Sequence, residues 1–277
     1  MVGIRPVPDA VVFDHVAIAV EEHRMAWPRY AGDLGGRWLS GGWGLGFAPG
    51  QLEYANGMKV EVLKPYRIDL NDFLRRFLDS NGPGPHHLTF KVPSLDDALA
   101  RAEAAALVPV GVERSQPHWQ EAFIHPRQVP GVVVQLAEAS GPEWSSPQPA
   151  SWPSPRTQRP ASLDYVAHAV VDLDQARPLF ETVLQGTEVA RGEDEAAKWV
   201  ELSWPGGGRL RLVTPTSAAS PVTAWLGGRP GRILCLAFTV EDPAGVADAV
   251  ALADGAWEVR PEANLGVRLR LTPSGSD

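Results

Sequence analysis

Along 15–20, His-Val-Ala-Ile-Ala-Val, larger apolar residues alternate with a histidine and two alanines, and along 87–92, His-Leu-Thr-Phe-Lys-Val, apolar residues alternate with polar ones. Alternation of this kind predicts strands, because successive side chains in a strand point to opposite faces. Val16, Ile18 and Val20 share one face, while His15, Ala17 and Ala19 share the other. In the same way Leu88, Phe90 and Val92 oppose His87, Thr89 and Lys91. The bulkier apolar face is expected to pack beneath helices, leaving both histidines on the more polar, concave side. Two further strands are predicted at Met58–Leu63 and Val132–Leu136. Both are rich in β-branched residues and follow the turn signals Asn56-Gly57 and Pro130-Gly131.

A helix is predicted behind the second strand, with Ser94 as N-cap, Asp97 at its third position and an Ala-rich run from Leu95. The segment behind the first strand contains Pro28 and ends at Gly35-Gly36. Proline there is tolerable only near a helix's first turn, because it lacks the N–H an interior turn needs.

The pattern repeats. Asp14-His-Val-Ala-Ile-Ala-Val returns as Asp164-Tyr-Val-Ala-His-Ala-Val, an offset of 150 that also pairs Ala26 with Ala176, Pro28 with Pro178, Gly36 with Gly186 and Pro65 with Pro215. Each half repeats internally as well, His15-Val-Ala-Ile-Ala-Val against His87-Leu-Thr-Phe-Lys-Val. Strand, helix, then several strands is thus expected four times, over roughly 11–65, 85–138, 162–215 and 232–272. This is an α+β architecture of four βαβββ modules in two tandem domains. Between them, prolines at 142, 147, 149, 153, 155 and 160 exclude regular helix and central strand. The expected division is a domain over 1–140, a semi-rigid linker over 141–161, pinned by Trp144 and Trp152, and a second domain over 162–277.

Composition narrows the function. The net charge of -8 and the lack of a Lys/Arg cluster argue against nucleic-acid binding. No apolar run approaches the roughly 20 residues of a membrane span, and the N-terminus lacks the apolar stretch of a signal peptide. A single cysteine, Cys235, fits a reducing cytoplasm.

Glu61 interrupts the apolar strand between Val60 and Val62, and Gln135 interrupts another between Val134 and Leu136. With His15 and His87 they occupy matching positions of paired modules, so a pseudo-twofold arrangement brings four donors to one axis. Two imidazoles, a carboxylate and an amide oxygen suit a divalent ion: Fe, Mn, Co, Ni or Zn. Such an ion acts as a Lewis acid toward a carbonyl and stabilises an enolate.

The motifs Asp14-His-Val-Ala-Ile-Ala-Val, Val60-Glu-Val-Leu-Lys-Pro, Gly84-Pro-His-His-Leu-Thr-Phe-Lys-Val and Gly131-Val-Val-Val-Gln-Leu resemble the vicinal oxygen chelate superfamily, which includes glyoxalases, bleomycin-resistance proteins and extradiol dioxygenases. The His-His-Leu-Thr-Phe strand and the Phe-Ile-His-Pro segment look most like methylmalonyl-CoA epimerase relatives. The resemblance implies His15, Glu61, His87 and Gln135 as metal ligands and a metal-dependent isomerase, epimerase or lyase acting on a carbonyl or acyl-CoA substrate. Those epimerases usually carry the amide in the first module and the carboxylate in the second, the reverse of this chain. They also use two glutamates as acid and base; here Glu61 and, eight residues before it, Glu53 are the candidates.

In the second half Tyr165, Arg211, Cys235 and Arg270 replace the four ligands, so no metal is expected there. The two arginines offer an alternative role, binding an anion. His118, Trp119 and Trp43 are expected to rim the substrate site. His86 is expected before the second strand, His125 in a turn, Lys64 in solvent, and Cys235 as a small buried residue. Two other functions compete: an Fe(II) extradiol-type dioxygenase, and a non-catalytic binding protein for an antibiotic or other small molecule. A monomer or homodimer fits the tandem repeat.

Overall fold

The structure, a computed structural model, describes residues 4–5, 8–116, 118–142 and 146–275. The first half opens with β1 (Ile4–Arg5), β2 (Val12–Ala19), α1 (His23–Trp27), β3 (Arg37–Gly41), β4 (Gly46–Glu53), β5 (Lys59–Tyr66) and α2 (Phe73–Asn81). It continues through β6 (Gly84–Lys91), α3 (Leu95–Ala104), β7 (Val110–Gln116), β8 (Trp119–Ile124), β9 (Val133–Ala139) and β10 (Gly141–Pro142). The second half begins with β11 (Ser162–Val170), α4 (Leu173–Arg177), β12 (Thr187–Glu193), β13 (Ala197–Ser203), β14 (Arg209–Pro215) and α5 (Pro221–Leu226). It ends with β15 (Gly231–Val240), β16 (Val250–Ala251), β17 (Trp257–Val259) and β18 (Leu269–Pro273).

Two eight-stranded sheets result, ordered β3-β4-β5-β2-β6-β9-β8-β7 and β12-β13-β14-β11-β15-β18-β17-β16. The same scheme appears twice, as the repeat requires. Within each module the first strand runs parallel to the last (β2 with β5, β6 with β9, β11 with β14, β15 with β18), and the remaining pairs are antiparallel. Parallel pairing needs a crossover, which the helical segments supply in three of the modules. The fourth departs from expectation: a single 3-10 turn, Pro243–Gly245, capped by Asp242, stands where a helix was expected.

Pro28 also departs from expectation. It lies in the middle of a continuous helical run, where α1 gives way to a π-helical segment, Pro28–Asp33. The wider turns show in Leu34 N–H donating to Arg29 O and Gly36 N–H to Tyr30 O. A proline cannot donate in the α register, and changing register at that residue accommodates the missing bond. Pro178 does the same at the head of Pro178–Val183. The predicted cap of α3 forms, with Ser94 Oγ accepting from Asp97 N–H at 3.1 Å.

By packing, the chain divides into two compact units, Met1–Asp14 with His87–Glu143 and Tyr165–Leu234, and His15–His86 with Trp144–Asp164 and Cys235–Asp277. The first has an aromatic core in which Phe13 stacks on Phe90 at 4.7 Å and Trp204 meets both rings edge-on. In the second, Tyr54 meets Phe238 at 5.0 Å, and Asn264 Nδ2 donates to the buried Tyr30 hydroxyl. The Pro-rich segment belongs to the second unit and is docked along its described length. Trp152 packs against Trp27 and Trp38 at 5.0 and 5.4 Å, and Trp38 Nε1–H donates to Ser146 O. Arg156 pairs with Asp33 at 2.6 Å, and Ala161 N–H donates to Leu34 O. Trp144 lies outside the described residues.

Candidate metal centre

Residue by residue, the alternation of β2 puts His15 and Ala17 on one face, and the register sets Ala17 beside Glu61 on β5. His15 Nε2 lies 3.4 Å from Glu61 Oε2, and both residues are buried. On β4, Gln51 stands directly opposite Glu61 and donates from Nε2 to Glu61 Oε1 at 2.9 Å. The Gln51 carbonyl in turn accepts from Ser40 Oγ at 3.3 Å. A carboxylate only accepts, so this chain sets which end of the amide faces Glu61.

Farther along the same face, Ala17, Ala19 and Leu63 are covered by Leu74 and Leu78 of α2, with Phe47, Phe73 and Phe77 packed around them. The concave side is therefore more apolar than alternation alone suggested. His86, inside β6 rather than before it, lies between the rings of Phe73 and Phe77 at 5.8 and 4.7 Å. Burial pushes its imidazole down to about 4, with the negative charge of Glu61 as the smaller, opposing influence.

On β6, His87 is followed two residues on by Thr89, which sits beside Gln135 on β9. Thr89 Oγ1–H donates to Gln135 Oε1 at 2.6 Å, and Gln135 Nε2 donates to Glu121 Oε2 on β8 at 2.6 Å. Trp119 Nε1–H donates to that same carboxylate oxygen, also at 2.6 Å. His15, Glu61 and His87 each offer one donor atom, and the three atoms all lie within 4.8 Å of one another. Two imidazoles and a carboxylate so close together fit a first-row divalent ion.

The remaining candidates are scattered. Glu53, at the end of β4, pairs with Arg37 at 3.5 Å. Trp43 is 69% exposed and its ring lies tilted against that of Tyr66, with centroids 5.0 Å apart. His118 is exposed in the turn before β8, its carbonyl accepting from Ser140 N–H. His125 Nδ1 accepts from Arg127 N–H in the expected turn, and Lys64 is partly exposed, where it pairs with Glu22 at 3.1 Å on the surface. Gln51, Thr89 and Glu121 were missed by sequence reasoning. The alternation of Trp119-Gln-Glu-Ala-Phe-Ile puts Glu121 on one face with Trp119 and Phe123, a signal that was there to read.

In the second half, Arg211 is held by Glu201, with Nη2 and Nε at 2.6 and 3.0 Å from Oε2. Its guanidinium lies 3.9 Å from the Tyr165 ring centroid and 4.3 Å from that of Trp199. Arg270 pairs with Asp254 at 2.7 Å. Both arginines thus already have carboxylate partners, which weakens the anion-binding alternative. Cys235 is buried. His168 faces the opposite side of its strand from Tyr165 and donates from Nε2 to Pro130 O at 2.7 Å.

No known family profile matches the chain, and no curated protein matches its sequence. Its fold does have solved counterparts. A variant of 4-hydroxymandelate synthase from Streptomyces coelicolor aligns over 96% of this chain and 94% of its own, with a TM-score of 0.67 at 15% identity. Methylmalonyl-CoA epimerase from Mycobacterium tuberculosis covers 50% of this chain and 93% of its own, with a TM-score of 0.42 at 25% identity. A Streptomyces coelicolor methylmalonyl-CoA epimerase in complex with 2-nitronate-propionyl-CoA covers 46% and 96%, with a TM-score of 0.41 at 20% identity. These neighbours are enzymes of the vicinal oxygen chelate superfamily. The full-length match shows the fold: this chain shares the fold of 4-hydroxymandelate synthase, with the same eight-stranded scheme built twice.

Proposed function

We propose that the chain is a divalent-metal-dependent enzyme that isomerises, epimerises or cleaves a small carbonyl substrate, an acyl-CoA thioester among the candidates. The observation that carries this reading is the cluster of His15, Glu61 and His87 donors. Gln135 is the fourth ligand in this reading, and the ion is Co, Mn, Fe, Ni or Zn. When bound, such an ion supplies Lewis acidity to the substrate carbonyl and so eases loss of the adjacent proton. Glu61, oriented by Gln51, is the carboxylate best placed to handle that proton. Glu53 is the second candidate acid or base, two residues from Gln51 on β4. Trp43 and His118 serve at the rim, whereas the Trp119 indole is engaged by Glu121.

In this reading the metal-binding domain spans 1–140, the connector 141–161, and 162–277 is a companion domain without metal ligands. Among the described residues no helix is long and apolar enough to cross a membrane. A cytoplasmic monomer or homodimer completes the proposal.

Elemental mass spectrometry on wild type, His15→Ala and Glu61→Ala tests the site. A stoichiometric metal in wild type that both variants lose is the expected result. Absence of metal after loading would overturn the reading in favour of a binding protein. Deuterium exchange into candidate acyl-CoA substrates then tests the reaction. The donor set of two imidazoles and one carboxylate also favours a second reading, an Fe(II) dioxygenase. Oxygen uptake with catechols under ferrous loading separates the two.

A further inference from the structure

Each of the first two modules holds a hydroxyl–amide–carboxylate chain, and the two chains run in opposite order. In the first module Ser40 donates to Gln51, and Gln51 donates to the carboxylate of Glu61. The carboxylate stands on the strand that bears the candidate ligand, and the amide stands one strand outward. In the second module Thr89 donates to Gln135, and Gln135 donates to the carboxylate of Glu121. Here the amide stands on the ligand-bearing strand and the carboxylate one strand outward. The exchange of amide and carboxylate is thus compensated in the neighbouring strand, so each module still contains one of each.

We propose that Glu121 is the positioning residue for Gln135: by accepting the Gln135 Nε2–H it fixes which end of the amide is a donor and turns Oε1 toward the metal. This inference rests on the reading of Gln135 as a ligand. An amide oxygen has two lone pairs, so the Thr89 hydroxyl leaves one for the ion. Trp119 anchors the carboxylate by donating to the same oxygen. Without Glu121 the amide loses the partner that distinguishes its two ends, and Nε2, which cannot ligate, competes for the site. A partner acting behind a ligand typically contributes one to two orders of magnitude in metal affinity.

The test is titration of the full chain with Co(II), following both the dissociation constant and the visible spectrum, in wild type, Gln135→Ala, Glu121→Leu and Glu121→Gln. Glu121→Leu is expected to weaken binding roughly 10- to 100-fold and to shift the spectrum toward that of Gln135→Ala. Glu121→Gln, which keeps an acceptor oxygen for Gln135 and Trp119, is expected to bind nearly as wild type does. Thr89→Val removes the other hold on the amide with little change of shape. It is expected to weaken binding too, and it replaces Glu121→Leu should that variant not fold. Weakened binding in Gln135→Ala with unchanged affinity and spectrum in Glu121→Leu, or in Thr89→Val if that variant must replace it, overturns the positioning role alone. Unchanged binding in Gln135→Ala overturns the ligand reading itself, and the positioning role with it.

Discussion

At the centre of the first sheet, His15 and Glu61 face each other 3.4 Å apart, with Gln51 behind the carboxylate. At the matching places of the second sheet stand Tyr165, Arg211 and Glu201. The registers confirm the match, since Ala17 lies beside Glu61 as Ala167 lies beside Arg211, and Gln51 opposes Glu61 as Glu201 opposes Arg211. In the first copy the carboxylate–amide pair carries a formal charge of -1; in the second the carboxylate–guanidinium pair carries none. A cation is therefore built into the second copy, stacked between two aromatic rings and neutralised by its neighbour. In the first copy, on our proposal, the cation comes from outside. One scaffold thus supports either arrangement, and three strand positions decide which.

The largest expected effect comes from transplanting the second copy's residues into the first. His15→Tyr combined with Glu61→Arg should cost more than the ~100-fold that outer-shell changes cost in metal affinity. Tight binding retained in a metal titration would break the comparison. Next comes Arg211→Met, which leaves Glu201, 4% exposed, without its main partner. Loss of one member of a fully buried pair costs about 3–5 kcal/mol; Arg211 is 26% exposed and Arg209 stays 3.3 Å from Glu201, so a loss at or below the lower end of that range is expected, read by urea unfolding. Adding Glu201→Gln should recover most of that loss, and metal binding at His15 and Glu61 should not change. A smaller effect is expected at His168, which matches Ile18 of the first copy. Burial holds its imidazole down at about 4, below the ordinary 6.5. Between those values the unfolded chain binds the extra proton, so stability falls as the pH drops through that window, at up to roughly 1.4 kcal/mol per pH unit. His168→Ile should flatten the stability–pH curve there relative to wild type. Parallel curves would show that His168 titrates alike in both states.

Much of the fold was legible because strand alternation and the 150-residue repeat are properties of the linear pattern. His15 and His87 stand out because each interrupts the same motif at the same place. Glu61 and Gln135 stand out because a polar group in an apolar strand needs a reason. The change to π-helix at Pro28 was not legible, since it depends on how the following turns pack rather than on proline's own preference. Nor was the shortening of the fourth module's helix to Pro243–Gly245, although Pro243 and Gly245 themselves disfavour a longer helix.

The sequence by itself determined the four modules, the face on which each candidate donor lies, and the replacement of those candidates by Tyr165, Arg211, Cys235 and Arg270 in the second copy. These follow from local geometry: side chains alternate along a strand whatever the strand pairs with. Tertiary structure alone decided that Gln51 serves Glu61, that Glu121 holds Gln135, and that Arg211 is closed off by Glu201. Those partners sit on neighbouring strands, and their meeting depends on the register between strands. The alternation pattern leaves that register open in steps of two residues, and only the packed sheet selects one.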